Sequence, residues 1–388
     1  MRVTIPELSL VLLVDHAGSG KAKFAARHFR ASEVLSLDVV RQMIADDDDS
    51  EAAIEAGWGA LLELAARRMS QGRFTVIDAD LSTPARRRML MQLSAEHHYI
   101  PSAFVFGRLH NGSVEDEGFR RIFRFPSARE IEAAEIHRYP LWSSRSDEAG
   151  PLDIVGSVHG RYEELVELLG RLGYRLEPRL QHPAGRKLVF LGDLVDYGPR
   201  NIDVLRLVIN AVDEGVAYAV PGNHDARLVS WLRGEKVDRH DGMATTIAEF
   251  DLAAAEFREH VETFLESSVS HYVFDKGNLV VAHAGLKESM HGRGSSAVRA
   301  FALHAEAPGE REEEWASSPP AWVLEYQGSA HVVYSHPSVT EPLGLNQTIN
   351  LDTGAAALGG RLTALRYPEM QVVSIAVGVP ERAAMAIE

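Results

Sequence analysis

The sequence contains no cysteine. Disulfides, thiolate metal ligands and a cysteine nucleophile are therefore excluded. Long apolar runs are also missing. The N-terminal run LSLVLLV is preceded by Pro6 and Glu7 and closed by Asp15. It is too short for a membrane span or a secretory signal. It predicts a buried strand, and a cytoplasmic chain with no membrane attachment is expected. An excess of positive charge is the third absence. The net charge is −15 over 388 residues, divided as −3 over residues 1–150 and −12 over residues 151–388. Proteins that hold long polyanions present a basic surface. Charge thus gives no support to nucleic-acid binding and leaves a small phosphate ester open. The run Asp46–Asp49 reads as a solvated loop ahead of a helix.

What is present is an alternation of apolar runs and helical patterns. In the first part, LSLVLLV, RFTVIDAD and PSAFVFG predict strands, whereas KAKFAARHF and TPARRRMLMQLSAEH predict helices. Thr83 and Pro84 open the second helix. Such alternation predicts a parallel sheet wrapped by helices. The segment around RSDEAGP reads as a linker. We place a first domain at residues 1–145, a linker at 146–151 and a second domain at 152–388.

The second part repeats the alternation with DIVG, KLVFLGD, VAYAVPGNH, NLVVAHAG and AHVVYSHP, and closes with two strands at hairpin spacing, RLTALRY and MQVVSIAV. Each of the first five strands runs into a turn that carries His, Asp or Asn. Sites in open α/β sheets form outside strand ends. The residues so collected are His159, Asp193, Asn223, His224, His283 and His336. Imidazole, carboxylate and amide oxygen together suit a divalent transition metal such as Mn, Fe, Ni or Zn.

The motifs GDLVDYGP, PGNHDARL, VVAHAGL and INLDTGAAALGGRLTALRYPE occur in this order. The chain from residue 151 onward resembles the calcineurin-like metallophosphoesterases, and more closely the phosphatase domain of bacterial polynucleotide kinase-phosphatase. The resemblance implies that Asp193 bridges two ions and that Asn223, His283 and His336 complete one of them. His159 would bind the other. His224 would protonate the leaving oxygen, with Asp196 orienting it. Arg293 and Asp352 match positions near substrate. The departures matter as much. Ser157 stands where the family has the aspartate of D-x-H-G. Tyr197 replaces the arginine of D-R-G, a phosphate clamp whose bidentate charge a phenol does not reproduce. Ser335-His336-Pro337 replaces G-H-T. One ion keeps four protein ligands and the other keeps two, so one firmly bound ion is expected. Asp153 opens the strand four residues before Ser157 and is not expected to supply the missing oxygen.

The stretch VLLVDHAGSGKAKFAARHF follows a strand and opens a helix, the setting of a phosphate loop. Gly18, Gly20 and Lys21 fit that pattern, whereas Asp15 replaces its first glycine and Ala22 its Ser or Thr. This part resembles the kinase domain of the same family. Asp38 falls in the segment of the acceptor-activating aspartate, and Asp78 is kept in VIDAD. The helical lid that follows FVFG in the family finds no counterpart before EGFRRIFRF. Loss of the loop pattern, the magnesium ligand and the lid predicts a P-loop-kinase-like domain without kinase activity and without ATP.

The expectation is thus an α/β chain: a P-loop-kinase-like parallel-sheet domain, then a calcineurin-like metallophosphoesterase domain. Two functions compete. In one, the second domain hydrolyses a nucleotide-sized phosphate ester with one metal ion. In the other, the chain is a catalytically silent relative that senses phosphate or binds a protein partner through residues 1–150. The family's ligase-like third module finds no counterpart before Glu388.

Overall fold

The computed structural model describes residues 1–15, 20–46, 48–107, 114–240, 242–305 and 319–378. The chain packs as two units. One comprises Met1–Leu141 with Arg293–Ser295, and the other Trp142–Gly292 with Ser296–Glu388.

The first unit is built on a five-stranded, all-parallel sheet. Its spatial order is Val34–Ser36, Thr75–Asp78, Ser9–Val14, Ile100–Phe106 and Arg121–Phe125. From Leu10 to Val14 the central strand is apolar at every position because both of its faces are covered. Leu10, Leu12 and Val14 pack with Trp58, Leu61 and Leu90 on one side. Val11 and Leu13 pack with Phe24, Phe104 and Phe125 on the other. A second, two-stranded ribbon pairs Arg2–Pro6 with Glu135–Tyr139. Among the described residues, only the short turn Glu115–Glu117 lies between the strands ending at Phe106 and starting at Arg121. Residues 108–113, where a lid would branch, lie outside the described residues.

The second unit contains two sheets rather than the one open sheet that alternation suggests. The first sheet orders Ala217–Ala219, Lys187–Phe190, Leu152–Val155, Arg361–Tyr367 and Gln371–Ala376. The second orders Leu343–Leu345, Thr348–Asn350, His331–Tyr334, Leu279–Ala282, His271–Phe274 and Ser144–Arg145. Leu152, Ile154, Val189 and Leu365 from one meet Phe274, Leu279, Val281 and Val333 from the other in a shared apolar layer. Helices Tyr162–Leu172 and Asn201–Asp213 cover the outer face of the first sheet. Helix Ser296–His304 covers that of the second. The second unit is thus a four-layer arrangement with helices outside two packed sheets, and the first is a parallel sheet covered on both faces.

The proposed linker at 146–151 is corrected by these contacts. Ser144 and Arg145 already pair with Val273 and Phe274. Asp275 N donates to Glu148 O, and Lys276 N donates to Ser146 O. The segment belongs to the second unit because its backbone completes that unit's sheet edge. Among the described residues, no helix is long and apolar enough to cross a membrane.

Asp153 is fully buried in the strand Leu152–Val155 and has a structural task. Arg186 Nε donates to both of its oxygens at 3.0 and 3.1 Å, and Arg366 Nε donates to one at 3.1 Å. Arg186 also reaches the carbonyls of Leu152 and Tyr367 and the Glu369 carboxylate. A buried charge stripped of its partner is costly, about 3–5 kcal/mol. Arg186→Ala is therefore expected to lower the chemical denaturation midpoint of the second unit by a shift equivalent to roughly 3 kcal/mol, with Arg186→Lys recovering only part. An unchanged midpoint would contradict this reading of Asp153.

Candidate metal centre

The second unit's two sheets meet at their strand ends. His159, Asp193, Asn223 and His224 follow strands of the first sheet, and His283 and His336 follow strands of the second. The structure brings all six together. Ligand atoms of Asp193, His283 and His336 all lie within 4.8 Å of one another, and so do those of His159, Asp193 and His224. Asp193 belongs to both groups. Its Oδ2 lies 3.5 Å from His283 Nε2 and 3.8 Å from His159 Nε2. The backbone is held in the left-handed region at His159 (φ 50°), Asp193 (φ 48°), Asp196 (φ 75°) and Tyr197 (φ 63°). Left-handed backbone at four non-glycine residues is costly, and such residues cluster at functional sites. Gly222 is required here, because a Cβ on it would collide with Asp193 Oδ1.

The hydrogen bonds assign the protons. His283 Nδ1 meets the carbonyl of Leu191 at 2.9 Å, and His159 Nδ1 meets that of Val195 at 3.2 Å. A carbonyl only accepts, so each Nδ1 carries the proton and each Nε2 presents a lone pair. Burial lowers the pKa of His283 to about 4 and lowers that of His159, so both rings stay neutral at pH 7. His283 Nε2 then faces Asn223 Oδ1 at 2.9 Å, one acceptor against another. Burial works against the Asp193 carboxylate, yet its pKa is lowered and it stays ionised; with His283 and His159 neutral, His224, whose own pKa is raised, is the ring that can carry the opposing charge. A carboxylate, an amide oxygen and neutral imidazole nitrogens converging without a proton between them fit a divalent cation.

His224 differs from the other rings. Its Nδ1 donates to Asp196 Oδ2 at 2.6 Å. Burial disfavours the charged ring, but the Asp193 charge and the Asp196 hydrogen bond overcome it and raise the pKa. Asp196 is fully buried and held from three sides. Thr246 Oγ1 donates to its Oδ1 at 2.5 Å, Arg227 Nη2 donates to its Oδ2 at 2.7 Å, and its own N–H donates to Asn201 Oδ1 at 2.7 Å. Sequence reading found Asp196 but missed Thr246, Arg227 and Asn201. Nothing local marks Thr246, fifty residues from its partner. Asp225 was also missed. Its carboxylate accepts from Gly222 N and Leu194 N, both at 2.9 Å, tying the Asn223 loop to the Asp193 loop. Its place two residues into the helix Asn223–Leu232 is a legible capping signal.

Ser157 sits in the position of the missing carboxylate, and its hydrogen bonds show what it does. Its Oγ donates to the carbonyl of Ser335 at 2.9 Å, and its N–H donates to Ser335 Oγ at 2.7 Å. Ser335 N in turn donates to His283 O at 2.7 Å. Ser157 thus joins the loops of His159, His336 and His283. Asp153, fixed by Arg186 and Arg366, supplies no oxygen here. The Tyr197 ring, 38 % exposed, stands edge-on to His159 at 5.2 Å.

Two sequence-based substrate positions separate. Asp352 lies at a strand end of the second unit, accepting from Ser338 Oγ and Gly354 N, and its charge is felt at His159. Arg293 does not join this centre. It packs with the first unit, where it donates to the carbonyls of His97, Met69 and Ser70. A guanidinium bound to the last carbonyls of helix Glu51–Ser70 is a helix cap. In the first unit, Gly20, Lys21 and Asp38 line one cavity of about 480 Å³ with Asp78 and Asp80. Lys21 Nζ donates to the carbonyl of Ala79 at 2.5 Å and lies 3.4 Å from Asp78 Oδ1. Gly18 lies outside the described residues.

Comparison with known proteins agrees with this geometry. Residues 10–107 match the AAA domain family, and residues 150–363 match the calcineurin-like phosphoesterases. A protein of Anoxybacillus flavithermus named bis(5'-nucleosyl)-tetraphosphatase PrpE (asymmetrical) is 39% identical over 233 residues, covering 59% of this chain and 95% of that one. A protein of Halalkalibacterium halodurans with the same name is 40% identical over 228 residues, covering 58% and 92%. One from Bacillus cereus is 38% identical over 234 residues, covering 59% and 95%. The strand-end ligands, the two-sheet scaffold and the match over residues 150–363 lead to one conclusion: this chain belongs to the calcineurin-like phosphoesterase family.

Proposed function

We propose that the second unit hydrolyses a phosphate ester or anhydride with one firmly held divalent transition metal ion. The observation that carries this is the convergence of Asp193 Oδ2, Asn223 Oδ1 and His283 Nε2 with no proton between them, and the approach of His336 to the same group. When bound, the ion supplies Lewis acidity toward a phosphoryl group. The chain's own residues do the rest. Thr246 and Arg227 hold Asp196, and Asp196 holds His224 through Nδ1. The proton left on the other ring nitrogen of His224 is the one delivered to the leaving oxygen. His159 and Asp193 alone remain for a second ion, because the Ser157 hydroxyl is committed to Ser335. Two protein ligands hold an ion weakly, so Mn, Fe, Ni or Zn is expected at one position.

The favoured substrate is a nucleoside polyphosphate. Relatives named as asymmetrical bis(5'-nucleosyl)-tetraphosphatases are matched over 92% or more of their length. Net charge of −15 and Tyr197 in place of a phosphate-clamping arginine also favour a small substrate over a polynucleotide. A polynucleotide end is the second reading, favoured by the order of a P-loop-like unit before the phosphoesterase unit. The first unit is read as inactive in phosphoryl transfer. Three carboxylates, Asp38, Asp78 and Asp80, line its phosphate-loop cavity, and Lys21 is held by Ala79 and Asp78. A silent scaffold binding a protein partner through residues 1–150 would leave the supported pair of Asp196 and His224 without a task.

Incubation of the full chain with Mn²⁺ and a dinucleoside tetraphosphate is expected to release a nucleoside triphosphate and a nucleoside monophosphate, resolved by ion-exchange chromatography. His224→Ala is expected to lower kcat about 10²–10⁴-fold, the range of general acid catalysis. No turnover of this substrate or of a 3'-phosphorylated oligonucleotide with Mn, Ni, Co, Fe or Zn would sink the hydrolase reading. Thr246→Val is expected to lower kcat about tenfold while leaving metal content unchanged, since it loosens Asp196 and not a ligand. Ser157→Asp is expected to raise the metal content, measured by mass spectrometry, from near one to near two ions per chain. A content that stays at one would show that more than this carboxylate is missing.

A further inference from the structure

The first unit has a second pocket at the opposite ends of its strands. Glu33 and Phe74 each stand immediately ahead of a strand and Glu7 two residues ahead of one, and these strands run parallel. With Arg30, Ser32, Arg68, Arg73 and Arg138 they surround a cavity of about 570 Å³. Charge here is the reverse of that at the phosphate loop. Four arginines face two glutamates, and one glutamate is already spent. Glu33 accepts from Arg138 Nη1 and Nη2 at 2.7 and 2.8 Å, and from the Arg30 N–H at 3.0 Å. Arg138 lies over Phe74, with its guanidinium carbon 3.9 Å from the ring centre. This pair is therefore wall, neutral as a unit and rigid.

Arg30, Arg68 and Arg73 remain, opposed by Glu7 alone. Arg30 and Arg73 are exposed and form no ion pair among the described residues. Arg68 Nη2 donates to the carbonyl of Phe74 at 2.8 Å, while its Nε is buried with no acceptor among the described residues. Three guanidiniums from two chain segments, one following helix Lys21–His28 and two at the end of helix Glu51–Ser70, gather around one cavity, where their like charges favour an anion. Guanidinium forks match phosphate oxygens bidentately. We propose that this pocket binds a polyphosphate chain, through Arg30, Arg68 and Arg73. The Phe74 face is already covered by Arg138, so no aromatic platform is left for a base. The phosphates alone are read, and the ligand is either inorganic polyphosphate or the phosphate chain of any nucleotide. The first unit would then have kept an anion site while moving it from the C-terminal to the N-terminal ends of its strands.

The test is calorimetric titration of the metal-loaded full chain with tripolyphosphate, ATP and GTP, repeated on Asp193→Asn and on the double variant Arg30→Glu/Arg73→Glu. The expected result is a binding event that persists in Asp193→Asn, weakens at least tenfold in the double variant, and weakens with salt. Arg30→Gln/Arg73→Gln, with its melting temperature recorded, is expected to fall between the wild type and the double reversal. Comparable affinity for all three ligands assigns recognition to the phosphates. Weaker tripolyphosphate with equal ATP and GTP would assign it to the nucleotide source. Three outcomes overturn the proposal: no event beyond that lost in Asp193→Asn, an event untouched by both arginine variants, or binding that distinguishes ATP from GTP.

Discussion

The fold of the second unit converges on one carboxylate. Asp193 is buried between rings contributed by both sheets, and its charge is what the neighbouring groups are arranged around. Placing it there requires a left-handed backbone at Asp193 and a glycine at 222 to let the next loop approach. It also requires the crossing contact in which a ring of the second sheet, His283, donates a hydrogen bond to the carbonyl of Leu191 of the first. The apolar layer between the sheets fixes their distance, and that distance decides whether four ligands from four loops can meet. Burial keeps His283 and His159 neutral, the state in which imidazole accepts a cation.

Against that background Ser157 becomes intelligible. A residue at that place can serve either a cation or the loops, and here it serves the loops. Its two hydrogen bonds to Ser335 replace electrostatic cohesion through a second ion with direct cohesion between strand ends. Tyr197 is likewise engaged with its neighbours, its ring packed edge-on against His159. What survives intact is the set around Asp193 and the chain of support behind His224.

Much of this was legible in the residues. Alternation of apolar runs with polar turns located the strands and the polar side chains that gather at their ends, because a buried strand must end in a turn. Three kinds of information were hidden. The split into two sheets was not readable, since a strand such as Leu279–Ala282 carries no mark of which neighbour it will pair with. The support from Thr246 and Asn201 was hidden for the same reason, as it depends on packing of distant helices. Arg293 was misplaced because a motif match records type and spacing, whereas its environment is set by the end of helix Glu51–Ser70. The segment 146–151 looked like a linker from its composition, yet its backbone hydrogen bonds place it at a sheet edge.

The proposed chemistry depends on a single cation held between the two sheets. Crystals of the full chain grown with Mn²⁺ would test it most directly through anomalous diffraction. The expected result is one strong peak within bonding distance of Asp193, Asn223, His283 and His336, with little or no density beside His159. Two peaks of equal height, or none at all among these side chains, would contradict it.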